Sequence, residues 1–209
     1  MKNQPEILKN FIVLEGLDGS GTTTQLMLLE KMHIENKIKH WCTFEPSDST
    51  IGKHIRDILR GRKEVEPVTL ALLFAADRNE HLFNKKNGII SHLSRGEMVL
   101  CDRYLFSSLA YQSVECEFDY VLSLNKNFPL PEFLFFLDVS PEGCKKRISA
   151  RAEKDIFDDP KIQEKIYEGY ERSFLVYKDS DMKFYRIDGT LDFQEISRKI
   201  WSIIHPLPI

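Results

Sequence analysis

Short apolar runs recur along the chain, separated by longer mixed stretches. Phe11–Glu15, Trp41–Phe44, Met98–Cys101, Phe133–Val139 and Phe184–Ile187 are predicted as strands. Several are apolar throughout instead of alternating, the pattern of strands covered on both faces. Helices fit between them. Thr22 to about Glu35 follows a glycine-rich loop, and Ile51–Leu59 and Val68–Asn84 carry a helical period. Ser140-Pro141-Glu142 offers an N-cap, a proline at the first helical position and an acid in the first turn. Asp192 with Glu195 resembles a capping box, and Phe193, Ile196, Ile200 and Ile203 follow at helical spacing. Strands alternating with helices predict an α/β domain with a mainly parallel sheet. In such sheets ligands bind beyond the carboxyl ends of the strands, so chemistry is sought just after each run.

The length of 209 residues predicts one domain, 1–209, with a small lid. Hydrophobic residues at 42% and charged residues at 29% are ordinary for a soluble protein, and 14 Phe with 7 Tyr exclude intrinsic disorder. The net charge of −3 provides no field that draws the protein to nucleic acid or an anionic membrane. No apolar run approaches the roughly 18 residues of a membrane span, and MKNQPEILKN has no apolar core of a secretory signal. Cys42, Cys101, Cys116 and Cys144 show no C-x-x-C spacing and no accompanying histidine cluster. They are expected as reduced thiols of a cytoplasmic protein, neither zinc site nor disulfide framework.

The first strand runs into FIVLEGLDGSGTTTQ. Gly16, Gly21 and Thr23 fit the phosphate-loop pattern G-x-x-x-x-G-K-[ST], with Gly19 and Ser20 inside it. Glycines let successive N–H groups point into one concavity, and the following helix N-terminus adds partial positive charge. Thr23 takes the place of the hydroxyl that holds Mg²⁺. Thr22 stands where the pattern has Lys, which normally neutralises the β/γ-phosphates. After the third run, MVLC leads into Asp102-Arg103-Tyr104. An acid at this point suits Mg²⁺, and the neighbouring arginine can grip a phosphate bidentately.

In order, FIVLEGLDGSGTTTQ, FEPSDSTIGKHIRDIL, LLFAADRNEHL, VLCDRYLFSSLAYQ and FLFFLDVSPEGCKKRISAR resemble the thymidylate kinases, from about residue 11 to 151. The resemblance implies a P-loop NTPase-like fold: a five-stranded parallel sheet flanked by helices, with a mobile lid at about 147–160. It implies a cytoplasmic homodimer that uses ATP, dTMP and Mg²⁺. Phe74 would stack on thymine, and Arg78, one turn later on the same helix face, would hydrogen-bond the base. Ser108 and Gln112 would read the pyrimidine edge, Tyr111 would sit near the sugar, and Asp18 would meet its 3′-hydroxyl. Arg56 and Arg103 would hold the acceptor phosphate, with Glu45 near that phosphate and magnesium. Asp18, Arg103 and Arg151 are the candidate catalytic residues, and Thr23 and Asp102 the metal ligands.

Three positions depart from the family. Thr22 replaces the loop lysine, Phe44 stands where an arginine usually precedes Glu-Pro, and Ile156 stands where a second lid arginine usually follows the acid, here Asp155. Each removes a cation near the donor phosphates, where such charge governs rate. Gly19 means that the loop brings no arginine of its own. Arg147, Arg151 and Lys154 recur at i, i+4, i+7, one helix face. Arg151, helped by Lys154 and Arg147, is the expected replacement for the loop charge. Two alternatives stand beside an active dTMP kinase. One is a kinase of the same fold acting on another nucleoside monophosphate; the other is a non-catalytic or weakly active nucleotide-binding protein.

Overall fold

In the computed structural model, which describes residues 5–148, 157 and 159–205, five parallel strands form one sheet. They are β1 (Ile7–Gly16), β2 (His40–Phe44), β3 (Met98–Asp102), β4 (Leu130–Asp138) and β5 (Lys183–Asp188), in the order β2-β3-β1-β4-β5. The continuous apolar runs arise because both faces are covered. Phe11 and Val13 of β1 join one core cluster, and Ile12 and Leu14 join the other. The outer strand β5 is mostly exposed and carries Lys183, Arg186 and Asp188, which blunts the edge.

Nine α-helices flank the strands among the described residues. α1 (Thr22–Glu35), α2 (Thr50–Leu59) and α3 (Pro67–Phe83) agree with the sequence reading to within a residue. The later helices are α4 (Ile89–Ser94), α5 (Leu105–Tyr111), α6 (Phe118–Asn125), α7 (Pro141–Ile148), α8 (Pro160–Tyr177) and α9 (Phe193–Ile204). Ser140 caps α7 by accepting the Gly143 N–H at 3.2 Å. Asp192 caps α9 by accepting the Gln194 N–H at 2.9 Å, while Glu195 pairs with Lys199 at 2.9 Å. The cap is therefore present, and Glu195 serves an i, i+4 ion pair.

Register brings the strand ends together. Leu14 of β1 and Phe44 of β2 both pair with Asp102 of β3. The glycine loop, the Glu45-Pro46 turn and the Asp102-Arg103 corner thus leave the sheet at one edge. α8 closes over this edge because Gly169 lies against the backbone of Ala110 in α5, where any Cβ would collide. No helix among the described residues is long and apolar enough to cross a membrane. Most of the expected lid, with Arg151 and Lys154, lies outside the described residues.

Candidate active site

β1 ends at Gly16, and the loop 17–21 turns back so that the Ser20 N–H donates to the Leu17 carbonyl at 3.0 Å. Gly21 has φ 104°, a left-handed conformation that a side chain disfavours. It precedes α1 without any side-chain cap, so the first-turn N–H groups remain available to an anion. Thr22 is only 4% exposed at the first position of the helix and brings no charge. Two guanidiniums grip the loop instead. Arg103 Nη1 donates to the Gly16 carbonyl at 3.0 Å, and Arg147 Nη1 donates to the carbonyls of Gly19 and Ser20 at 3.2 Å each. Arg147 also reaches the Gly189 carbonyl at 3.3 Å and lies over the Phe193 ring. Of the three expected compensating cations, the structure puts Arg147 on the loop.

Thr23 Oγ1 donates to Asp102 Oδ2 at 2.5 Å, and Asp102 Oδ1 is buried with no hydrogen-bond partner. An orphaned carboxylate oxygen beside a hydroxyl, at a phosphate loop, is a hard-oxygen donor set that fits Mg²⁺.

Against the loop, with its Asp18 in the wall, lies a pocket whose lining also includes Glu45, Phe74, Arg78, Arg103, Ser108, Tyr111 and Gln112. The structure thus brings together every residue assigned to dTMP except Arg56. Phe74 and Arg78 come from α3, and Ser108 and Tyr111 from α5. Gln112 Oε1 is buried without a partner at this pocket. Arg56 is occupied nearby: its Nη1 donates to the carbonyls of Pro46 and Ser47 at 2.6 and 2.7 Å, and its Nη2 reaches Asp48 at 3.1 Å. It braces the turn that carries Pro46 into the pocket wall.

Glu45 lines this pocket and is held there by two side chains. Its Oε2 accepts from Arg78 Nε at 2.9 Å and Nη2 at 2.6 Å, and its Oε1 contacts His81 at 3.1 Å. Arg78 further bonds Asn125 and donates to Ser108 Oγ at 3.0 Å. Glu45 therefore fixes the orientation of Arg78 in the pocket wall. Asp77, also from α3, accepts from Ser47 N, Ser47 Oγ and Ser49 Oγ at 2.6 Å each and ties the turn to the helix.

Arg103 is the hub between pocket and loop. Its φ of 71° is uncommon for a residue with a side chain. Its Nη2 meets Asp18 Oδ1 at 2.6 Å, and its Nη1 also donates to Tyr111 Oη at 3.1 Å and Tyr170 Oη at 3.2 Å. Burial holds the Tyr111 phenol well above its ordinary pKa, so the group remains neutral.

Glu15 has no role in the sequence reading, yet it lies behind Ser107 and Arg103 of the pocket wall. It is fully buried, and burial pushes its carboxyl up to about 7. It accepts from the Tyr104 and Ser107 N–H groups at 2.8 and 3.2 Å, Ser107 Oγ at 2.5 Å and Tyr170 Oη at 2.9 Å. A carboxylate inside the apolar run FIVLEG was the signal that could have found it. Tyr170 and Phe157, which also reach the site, come from segments with no motif around them.

A protein-family model described as thymidylate kinase matches residues 14–200. A putative thymidylate kinase of Treponema pallidum (strain Nichols) is 42% identical over 197 residues, covering 93% of this chain and 94% of the relative. A probable thymidylate kinase of Methanocaldococcus jannaschii is 44% identical over 161 residues, covering 77% of this chain and 79% of the relative. Another, from Methanococcus maripaludis (strain C7), is 42% identical over 197 residues, covering 94% and 92%.

Proposed function

Because the chain belongs to the thymidylate kinase family, we propose that it transfers the γ-phosphoryl group of ATP to dTMP, giving dTDP and ADP. The observation that carries the substrate assignment is the buried, unpartnered Gln112 Oε1 in the pocket beside Arg78. Thymine carries an N3–H that can donate to such an oxygen. Cytosine presents an acceptor there and would require the amide to turn and offer its NH2 instead. Phe74, half-buried on the pocket wall, offers the flat apolar surface that a base covers.

The acceptor is already an anion, so no protein nucleophile is required. A dTMP phosphate oxygen attacks Pγ, the bond from Pγ to the β-phosphate oxygen breaks, and its electrons leave with ADP. The protein positions the two anions and offsets their charge. Arg103, held by Asp18, Tyr111 and the Gly16 carbonyl, stands between pocket and loop and faces the acceptor phosphate. The loop N–H groups and the start of α1 receive the donor phosphates. Arg147 supplies positive charge at Gly19 and Ser20 in place of a lysine at Thr22, with Arg151 and Lys154 completing the set from the lid. Thr23 and Asp102 would hold Mg²⁺, which neutralises charge on the transferring phosphoryl group when bound. Asp18 serves the sugar 3′-hydroxyl, and Tyr111 disfavours a 2′-hydroxyl. We place the enzyme in the cytoplasm as a homodimer.

Product identification tests the reading. Protein, Mg-ATP and dTMP should yield dTDP and ADP in equal amounts. ATP loss without dTDP would refute it.

A further inference from the structure

We propose that Glu30, His40 and Cys42 form a site for a borderline divalent transition metal, of the chemistry of Zn²⁺, on the edge of the sheet away from the phosphate loop. His40 and Cys42 are two residues apart on the outer strand β2, so their side chains leave on the same face. Glu30 comes from α1, which packs against that face. One ligand atom from each of the three lies within 4.8 Å of the others. Metal bonds of about 2.0–2.3 Å would set ligand atoms about 3.3–3.8 Å apart. All three side chains are partly exposed, so rotation about their own bonds closes the difference. The donors are thiolate, imidazole and carboxylate, a mixture that selects zinc-like ions over Mg²⁺, which demands oxygen alone.

The surroundings carry the mark of a ligand histidine. His40 Nδ1 contacts the Ile38 carbonyl at 2.8 Å. Donation there fixes the tautomer and leaves the Nε2 lone pair free to bind. Burial and the neighbouring Glu30 carboxylate push the Cys42 thiol up to about 12, so a metal has to displace its proton to bind there. This departs from the expectation that none of the four cysteines serves a zinc site, which rested on spacing alone: Cys42 has no C-x-x-C partner, and Glu30 lies on a helix before the strand. A metal here would tie α1, which begins at the phosphate loop, to β2, which leads into the Glu45-Pro46 turn.

The test is titration of the tag-free protein with Zn²⁺ in excess Mg²⁺, with Co²⁺ as spectroscopic probe. Wild type should bind one Zn²⁺ per chain, raise its melting temperature on binding, and show a cobalt–thiolate charge-transfer band. Cys42→Ser and His40→Gln should each weaken binding at least about tenfold. Both should keep their metal-free melting temperature and dTMP turnover, and Cys42→Ser should lose the band. Absence of saturable binding by wild type, or unchanged affinity in either variant, would overturn the proposal. So would loss of binding in His205→Ala alone, which would move the metal to the pair formed by His33 and His205, whose Nε2 atoms are 3.3 Å apart.

Discussion

Arg78 and Glu45, 33 residues apart in sequence, share two hydrogen bonds of 2.9 and 2.6 Å with both side chains almost wholly buried. The pair joins the helix that carries Phe74 to the turn after β2. Arg78 is thereby fixed, with Ser108 and Asn125 as further partners and the Tyr104 and Phe128 rings beside it. Removing one partner leaves the other charged and buried. Glu45→Ala should therefore lose about 3–5 kcal/mol in urea denaturation and raise the KM for dTMP. Wild-type stability in that variant would show that the pair holds nothing.

Arg103 makes contacts that lysine cannot copy. Its planar fork reaches the Gly16 carbonyl, Asp18 and Tyr111 at once. Arg103→Lys should keep the fold and lower kcat about 100-fold with dTMP. Steady-state kinetics decides it, and an unchanged kcat would remove Arg103 from the transfer step.

Arg147 both braces the loop carbonyls and supplies charge beside a loop that lacks its lysine. Arg147→Ala should raise the KM for ATP about tenfold, the loss of one charged hydrogen-bonding group, while the KM for dTMP changes little. Equal changes in both constants would mean that the residue acts only through general stability.

Stability should depend on pH through Glu15 and His33 with opposite signs. Glu15 is raised from 4.5 to about 7 by burial, so its protonated form favours the folded state. That contribution is fully present below pH 4.5 and is lost as the pH rises to about 7. Glu15→Gln, which keeps an acceptor for the Tyr104 and Ser107 N–H groups, should abolish this decline and be the more stable protein at pH 8. His33 is lowered from 6.5 to about 4 by burial, so its contribution is present above pH 6.5 and fades toward pH 4. Urea midpoints from pH 4 to 8 for wild type and Glu15→Gln check both signs. Parallel profiles would contradict the assignment to Glu15.

What could be read in the sequence was local. The phosphate loop, Phe74 with Arg78, and Ser108 with Gln112 are short-range patterns, and the fold brings each to the site. Apolar runs without alternation told of a sheet covered on both faces, and the clusters around Phe11 and Ile12 bear this out. The pairing of Glu45 with Arg78, the bracing role of Arg56 and the reach of Tyr170 to Glu15 could not be read, because each depends on segments that meet only after the sheet forms. Arg151 and Lys154 lie outside the described residues.

A loop with Thr22 in place of lysine should still serve a dTMP kinase. The most direct measurement is ADP release by the purified protein with Mg-ATP, offered dTMP, dUMP, dCMP, UMP and AMP in parallel, with Thr22→Lys beside it. The natural protein should turn over dTMP well above dCMP, UMP and AMP, without need of the added lysine. Measurable dTMP binding with no turnover of any acceptor, and activity appearing only in Thr22→Lys, would contradict it.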